Sequence, residues 1–233
     1  MKYRLPASTT ICTAGAGIDF SDATKFDRGR MSVYQLKSRF QNILRPLVRS
    51  LAARGVTANQ VTSVAAAVSV ALGLFLSIVP LPQLFLLVPV WFLLRMGLNA
   101  IDGMLAREHG QKSILGAYLN EIGDVVSDIA LYLPFALIDP NGLMPAMAVI
   151  FLSVLTEFAG ILSQTVGASR RYDGPLGKSD RAVLFGALGV FVAVGGTFAA
   201  WTVWLWAVVA LLLVWTTINR ISAGIREART AGR

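Results

Sequence analysis

Asn99-Ala-Ile-Asp102-Gly103-Met-Leu-Ala106-Arg107 and, after eight intervening residues, Gly116-Ala-Tyr-Leu-Asn120-Glu-Ile-Gly-Asp124 form the stretch whose reading decides the fold. Amide, carboxylate and glycine residues recur here at helical spacing inside otherwise apolar sequence. Carboxylates and amides are costly to bury in lipid, so in apolar helices they mark a site that faces a cavity or a neighbouring helix. Asn99 and Asp102 stand three apart on one helix. Gly116, Asn120, Asp124 and Asp128 repeat every four residues and share one face of the next. A short turn joins the two helices, so their polar ends meet at the same depth.

Working outward, the chain is too apolar for a water-soluble fold. Of its 233 residues 55% are hydrophobic, and the mean hydropathy is +0.62, which predicts an integral membrane protein. The net charge of +8 does not point to nucleic acid. Lys and Arg gather before residue 57, around Arg95, Arg107 and Lys112, at Arg170, Arg171, Lys178 and Arg181, and again from Arg220 onward. The turns around Pro80 to Pro82, Asp139 to Gly142 and Gly195 to Ala200 contain none. That alternation predicts an even number of spans with both termini on the cytoplasmic side.

The expected architecture is all-α, a polytopic membrane helical bundle of six transmembrane helices with an N-terminal interfacial amphipathic helix. The spans run from about Val61 to Val79, Leu84 to Leu105, Ile114 to Ile138, Leu143 to Val166 and Ala182 to Val194, and a sixth ends near Ile218. Residues 1–30 read as a loose tail without the apolar core of a signal peptide. Residues 31–56 form the amphipathic helix, with Leu36, Phe40, Ile43, Leu44, Leu47 and Leu51 on one face and a bend expected at Pro46. Residues 57–222 make up the catalytic bundle, and 223–233 a basic cytoplasmic tail.

Facing carboxylates and amide oxygens suit a hard divalent ion, Mg2+ or Mn2+. Zinc is less natural, because the only cysteine, Cys12, lies in the tail and the only histidine, His109, in a turn. A hard ion in turn suggests a phosphate-bearing substrate. Gly103 and Gly116 admit either a substrate or a closely packed helix. Glu157, isolated in the fourth span, either lines the site or makes a structural hydrogen bond. Glu121 is rotated off the face that carries Asn120 and Asp124.

The segment from Asn99 to Asp124 resembles the signature of the CDP-alcohol phosphatidyltransferase family, Asp-x-x-Asp-Gly-x-x-Ala-Arg, eight residues, then Gly-x-x-x-Asp-x-x-x-Asp. The run from Ser32 onward, with Leu98 to Arg107 and Gly177-Lys-Ser-Asp-Arg181, is similar to a bacterial inner-membrane branch of that family. The resemblance implies transfer of a phosphatidyl group from a CDP-linked lipid such as CDP-diacylglycerol to an alcohol acceptor, with release of CMP. It implies a homodimer among membrane lipids, multi-pass in the bacterial inner membrane, with a cavity open to the cytoplasm. It assigns Asp102, Asp124, Asn99 and Asn120 to the Mg2+ or Mn2+ site, and Asp124 to the general base, with Asp128 as a second catalytic candidate. Gly103, Ala106, Arg107 and Gly116 fall at nucleotide-binding positions.

Lys178, Arg181, Arg170 and Arg171 are the candidates for binding a phosphorylated polyol, although cytoplasmic Lys and Arg also serve to orient the chain. Asn99 and Asn120 stand where the family carries aspartate. The shape is kept while two negative charges are lost, which predicts weaker metal binding, or one tightly held ion where the resemblance implies two. A catalytically silent CDP-lipid binder, and more remotely a small-solute transporter, are the competing expectations.

Overall fold

The first helix must stop where Gly55 adopts a left-handed conformation (φ +76°), and the next begins where Thr57 and Gln60 cap each other reciprocally. Such a capping box satisfies two backbone donors that the helix itself leaves orphaned. In the computed structural model, which describes residues 28–231, seven α-helices follow one another: α1 (Arg28–Ala53), α2 (Ala58–Ile78), α3 (Leu87–Glu108), α4 (Ile114–Ile138), α5 (Leu143–Leu162), α6 (Lys178–Ala193) and α7 (Trp201–Ala231). Short 3-10 turns at Pro82–Leu86 and Ser163–Val166 lead into α3 and out of α5. Most of the expected tail at residues 1–30, Cys12 included, lies outside the described residues. The chain divides into a unit ending at Ile43 and a unit from Leu44 onward.

Within the second unit, α2 packs on α3 and α4, α3 on α6, α4 on α5, and α5 on α7. The closest approach is between α2 and α4, where a Cβ on Gly73 would collide with the carbonyl of Ala130. One apolar core fills the end of the bundle away from the α3–α4 turn. Its centre is aromatic: Tyr132 stacks on Phe185 with centroids 3.8 Å apart, and Phe135 and Trp206 flank Phe185. There Trp206 Nε1 donates to Asp139 Oδ2 at 2.8 Å, so the buried carboxyl of the α4–α5 turn has a partner. A smaller cluster joins Val48 of α1 to Ala58 and Val61 of α2 and to Ile101, Met104 and Leu105 of α3. Arg45 reinforces it by gripping Glu108 with two bonds of 3.1 Å. The residues described from Leu44 on therefore combine body packing with an exposed apolar position, Leu47.

The bundle is all-α among the described residues and polytopic, but the expectation of six spans is corrected. Four segments are long and apolar enough to cross a membrane: Ala58–Ile78, Pro82–Glu108, Leu143–Val166 and Trp201–Thr230. Two expected spans fall short for different physical reasons. α4 has the length, but it carries Glu121, Asp124 and Asp128 within its central turns, too many charges for an apolar span. α6 has 16 residues, which at the helical rise extend to about 24 Å against a hydrocarbon core of about 30 Å. Large side chains such as Leu93, Phe151, Trp204 and Leu211 point outward from three of the four qualifying segments, as a lipid-facing surface requires. α7 continues as helix through the stretch expected as a tail.

Candidate active site

The α3–α4 turn is held rigidly before any polar residue of the site is considered. Gly110 turns the chain with φ +66°, and Ser113 caps α4 by accepting from the Gly116 amide at 2.9 Å. Gln111 accepts from the Ala58 amide at 2.7 Å and donates to the Val56 carbonyl at 3.3 Å, which ties the turn to the start of α2. These anchors fix α2, α3 and α4 around a cavity of about 430 Å3, lined by Asn99, Asp102, Gly103, Ala106, Arg107, Gly116 and Asn120 among others.

Asp102 is 6% exposed, and its Oδ2 accepts a 2.8 Å bond from Thr62 Oγ1. A Cβ on Gly116 would stand 2.6 Å from Asn59 Oδ1. A side chain there would have to displace the Asn59 amide of α2 and the Ser113 hydroxyl that caps α4. At Gly103 a Cβ would instead meet the tip of the Arg107 guanidinium at 3.0 Å, a group that can move.

A second cavity, of about 440 Å3, shares Asn99 and Asn120 with the first. Its lining includes Asn99, Asn120, Asp124, Arg170, Lys178 and Arg220. Asp124 Oδ1 accepts from Arg95 Nη2 at 3.1 Å and also pairs with the Lys178 ammonium. A third cavity, of about 580 Å3 and mainly apolar, runs between α3 and α6 past Phe92, Leu93, Met96, Val183 and Gly186, with Asn99 and Lys178 also on its wall. Asn99 thus lines all three cavities.

Behind Asp124 lies a buried network of opposite charges. Asp128, 5% exposed, bonds Arg95 Nη1 through Oδ1 at 2.6 Å and Arg181 Nη2 through Oδ2 at 3.2 Å. Arg181 is 1% exposed; it also reaches Glu157 Oε1 at 2.9 Å and Thr156 Oγ1 at 3.2 Å. Glu157 Oε2 lies 3.3 Å from Arg220 Nη1 and 3.4 Å from Arg170 Nη2. Arg170 pairs in turn with Glu121, and its guanidinium sits 4.9 Å from the ring centroid of Tyr172. Charges this deep persist only when paired and hydrogen-bonded.

The predicted residues are therefore sorted by depth. Asn99, Asp102, Gly103, Ala106, Arg107, Gly116 and Asn120 come together around the first cavity. Asp124, Lys178 and Arg170 line the second. Asp128 and Arg181 sit behind that wall as mutual partners. Arg171 faces elsewhere: it grips Asp173 at 2.8 and 3.0 Å and Glu227 at 2.5 Å. Its hydrogen bonds hold the Asp173 carboxyl below the usual carboxylate range.

Sequence reasoning missed Arg95 and Arg220. Both are buried; Arg95 stands in an otherwise apolar run, so its burial cost was an available signal, whereas Arg220 lies among Thr216, Thr217, Asn219 and Ser222 and gave no such signal. The alternation of basic turns accounts for both only as orienting charges. Among the described residues, no three His, Cys, Asp or Glu side chains gather closely enough to hold a metal ion. The side-chain oxygen donors on the wall of the first cavity include the Asp102 carboxylate and the Asn99 and Asn120 amides.

Residues 55–218 match the family model described as CDP-alcohol phosphatidyltransferase. The chain is 48% identical over 190 residues to the inner membrane protein YnbA of Escherichia coli, covering 82% of this chain and 94% of that protein. Among solved structures it is similar to the phosphatidylinositol phosphate synthase PgsA1 of Mycobacterium tuberculosis. For that enzyme in complex with manganese and citrate, the TM-score is 0.63 at 21% identity, over 77% of this chain and 87% of the other. For the same enzyme with CDP-DAG bound, the values are 0.62 and 19%, over 80% and 94%. At such identities these two likenesses speak for the fold alone.

Proposed function

The chain belongs to the CDP-alcohol phosphatidyltransferase family and transfers a phosphatidyl group from a CDP-linked lipid to an acceptor; from that premise we propose which groups perform each part. The cytidine and diphosphate of CDP-diacylglycerol occupy the cavity of Asp102, Gly103, Arg107 and Gly116. An acyl chain follows the apolar cavity between α3 and α6. The acceptor enters the cavity of Asp124, where Lys178, Arg170 and Arg220 offer cations to a phosphorylated polyol. The observation that carries this division is the position of Asn99, on the wall of all three cavities. Reacting groups from three directions meet only there.

In the reaction, the acceptor hydroxyl oxygen bonds to the phosphatidyl phosphorus, the bond from that phosphorus to the CMP oxygen breaks, and the hydroxyl proton passes to Asp124. Arg95 positions Asp124 by bonding its side chain and its backbone carbonyl, both at 3.1 Å. Asp128 is a positioning residue, since Arg95 and Arg181 take both its oxygens. Excluding water matters, because water is a competing acceptor.

One Mg2+ or Mn2+ fits the donor set at Asp102, with the amide oxygens of Asn99 and Asn120 as neutral ligands. Such an ion supplies charge stabilisation at the diphosphate. The active protein is a homodimer in the bacterial inner membrane, with both termini cytoplasmic. The test is CMP release from CDP-diacylglycerol with glycerol phosphate, inositol phosphate, glycerol, inositol and serine as acceptors, read together with the lipid product. Phosphorylated acceptors are expected to yield new lipid, and Lys178→Ala to raise their KM. Product only from unphosphorylated alcohols would overturn the acceptor assignment.

A further inference from the structure

Asn99 and Asn120 divide one polar centre into two halves, because both line the cavity of Asp102 and the cavity of Asp124. Both halves share the same two neutral amides; the first wall carries one carboxylate, Asp102, while on the second Glu157 is met by Arg181 and Arg220 and Asp180 accepts from the Gly177 amide, which leaves Asp124 as the carboxylate to be matched there. The halves differ in what already neutralises Asp102 and Asp124. Asp102 takes a hydroxyl, from Thr62, and forms no ion pair among the described residues. Asp124 takes two cations on a single oxygen, Lys178 and Arg95. Arg95 is shared with Asp128, so Lys178 is the cation committed to Asp124 that also faces open cavity.

The placement of Lys178 is informative in a second way. It is the first residue of α6, after Gly177 as N-cap. A positive charge is unfavourable at a helix N-terminus, where the peptide dipoles already present positive ends. Asp180 answers part of that cost by accepting from the Gly177 amide at 2.8 Å. A lysine kept at this position needs a partner elsewhere, and Asp124 is that partner.

We propose that the Lys178 ammonium takes the place of a second metal ion: the centre holds one exchangeable divalent cation at Asp102 and one cation supplied by the chain at Asp124. Charge matching supports the substitution. Glu157 is already met by Arg181 and Arg220, and Arg95 is shared with Asp128, so with amides at 99 and 120 the Asp124 carboxylate is the remaining negative charge, which one ammonium balances. Carboxylates at those two positions would leave an excess of negative charge that calls for a divalent ion. An ammonium is a compact point charge on a flexible stem, so it can turn from Asp124 toward a phosphoryl oxygen without leaving the site.

The proposal deepens the single-ion assignment at Asp102 and rests on it, but the two fail differently. Mn2+ stoichiometry would be measured on the detergent-solubilised full chain by equilibrium binding, and metal–metal coupling by electron paramagnetic resonance. Wild type is expected to bind one ion. Asn99→Asp with Asn120→Asp is expected to remain at one, because Lys178 still occupies the second half. Adding Lys178→Met to that pair is expected to give two coupled ions, and Lys178→Gln serves as a second probe where the methionine variant folds poorly. Two ions in wild type or in the double variant, or one ion in both triple variants, would overturn the proposal. A wild type that binds no Mn2+ would remove the Asp102 assignment, while the contrast between double and triple variants would still decide the role of Lys178.

Discussion

Asp102 and Asp124 belong to one motif and stand in opposite company. Asp102 sits at the end of α3 beside a threonine hydroxyl and an open cavity. Asp124 sits on α4, backed by Arg95, Lys178 and, one helical turn deeper, the Asp128–Arg181–Glu157 chain of ion pairs. Identical side chains thus have different neighbours. A carboxylate with a neutral donor is free to receive a cation from solution, whereas one already flanked by cations has its charge met and its orientation set by the protein.

The largest expected effect tests that difference directly. Asp102→Asn and Asp124→Asn should each lower CMP release by roughly 10²- to 10⁴-fold, the range for a lost catalytic group. Their response to added Mn2+ should separate them. Weakened metal binding is recoverable by mass action, so Asp102→Asn should regain at least about tenfold as Mn2+ is raised to saturation. Asp124→Asn should not respond, because no ligand concentration restores a missing base. Equal rescue of both variants would erase the contrast and return Asp124 to the metal site.

The next effect concerns stability rather than catalysis. Arg181→Met removes the guanidinium that joins Asp128 to Glu157 and leaves both carboxylates short of a partner in a buried setting. Truncating one member of a buried ion network costs about 3–5 kcal/mol, which should appear as a large fall in thermal midpoint in detergent. Thr62→Val, on the Asp102 side, should leave the midpoint nearly unchanged. Comparable losses from the two would show that the buried network does not distinguish the two halves.

The contrast between the halves also marks what the sequence made legible. The bounds of α2, α4 and α5 could be read locally, because a capping Thr57, a capping Ser113 and the Asp139-Pro-Asn-Gly142 turn are written in adjacent residues. The Asp102 side was equally local, since Asn99, Asp102, Gly116 and Asn120 follow helical spacing. The Asp124 side was not, because Arg95 and Arg181 reach Asp128 across 33 and 53 residues of chain. No periodicity encodes such partners. The start of α6 was hidden for a related reason: Lys178-Ser-Asp180-Arg181 has the composition of a loop, and it is helical because Asp180 caps Gly177 while Arg181 finds carboxylates on α4 and α5. The two excess spans have separate origins: in α4 an apolar run is interrupted by Glu121, Asp124 and Asp128, and α6 has 16 residues, too few to cross.

The smallest expected effect lies at the rim of the second cavity, in the segment between α5 and α6. Arg171 holds Asp173 and Glu227 there, and Glu227 accepts from the amide and hydroxyl of Ser169 at 3.0 and 2.9 Å. The Asp173 carboxyl is held below its ordinary range chiefly by its hydrogen bonds to Arg171. For a group whose folded value is depressed, the stabilisation is fully present above the unfolded value, near 3.9, and is lost as pH falls through the folded value below it. Hydrogen exchange across residues 168–176 should therefore be independent of this pair, after correction for intrinsic rates, from pH 7 down to about 4. Further acidification should speed it. Because Asp173 is partly exposed, the gain should stay under about threefold, and Asp173→Asn should diminish the acid-dependent step, leaving the part that comes from Glu227 on Ser169. A much larger opening would mean that this segment, like the buried chain behind Asp124, depends on its charges to remain folded, and would extend the region organised by ion pairs from the base of the second cavity to its rim.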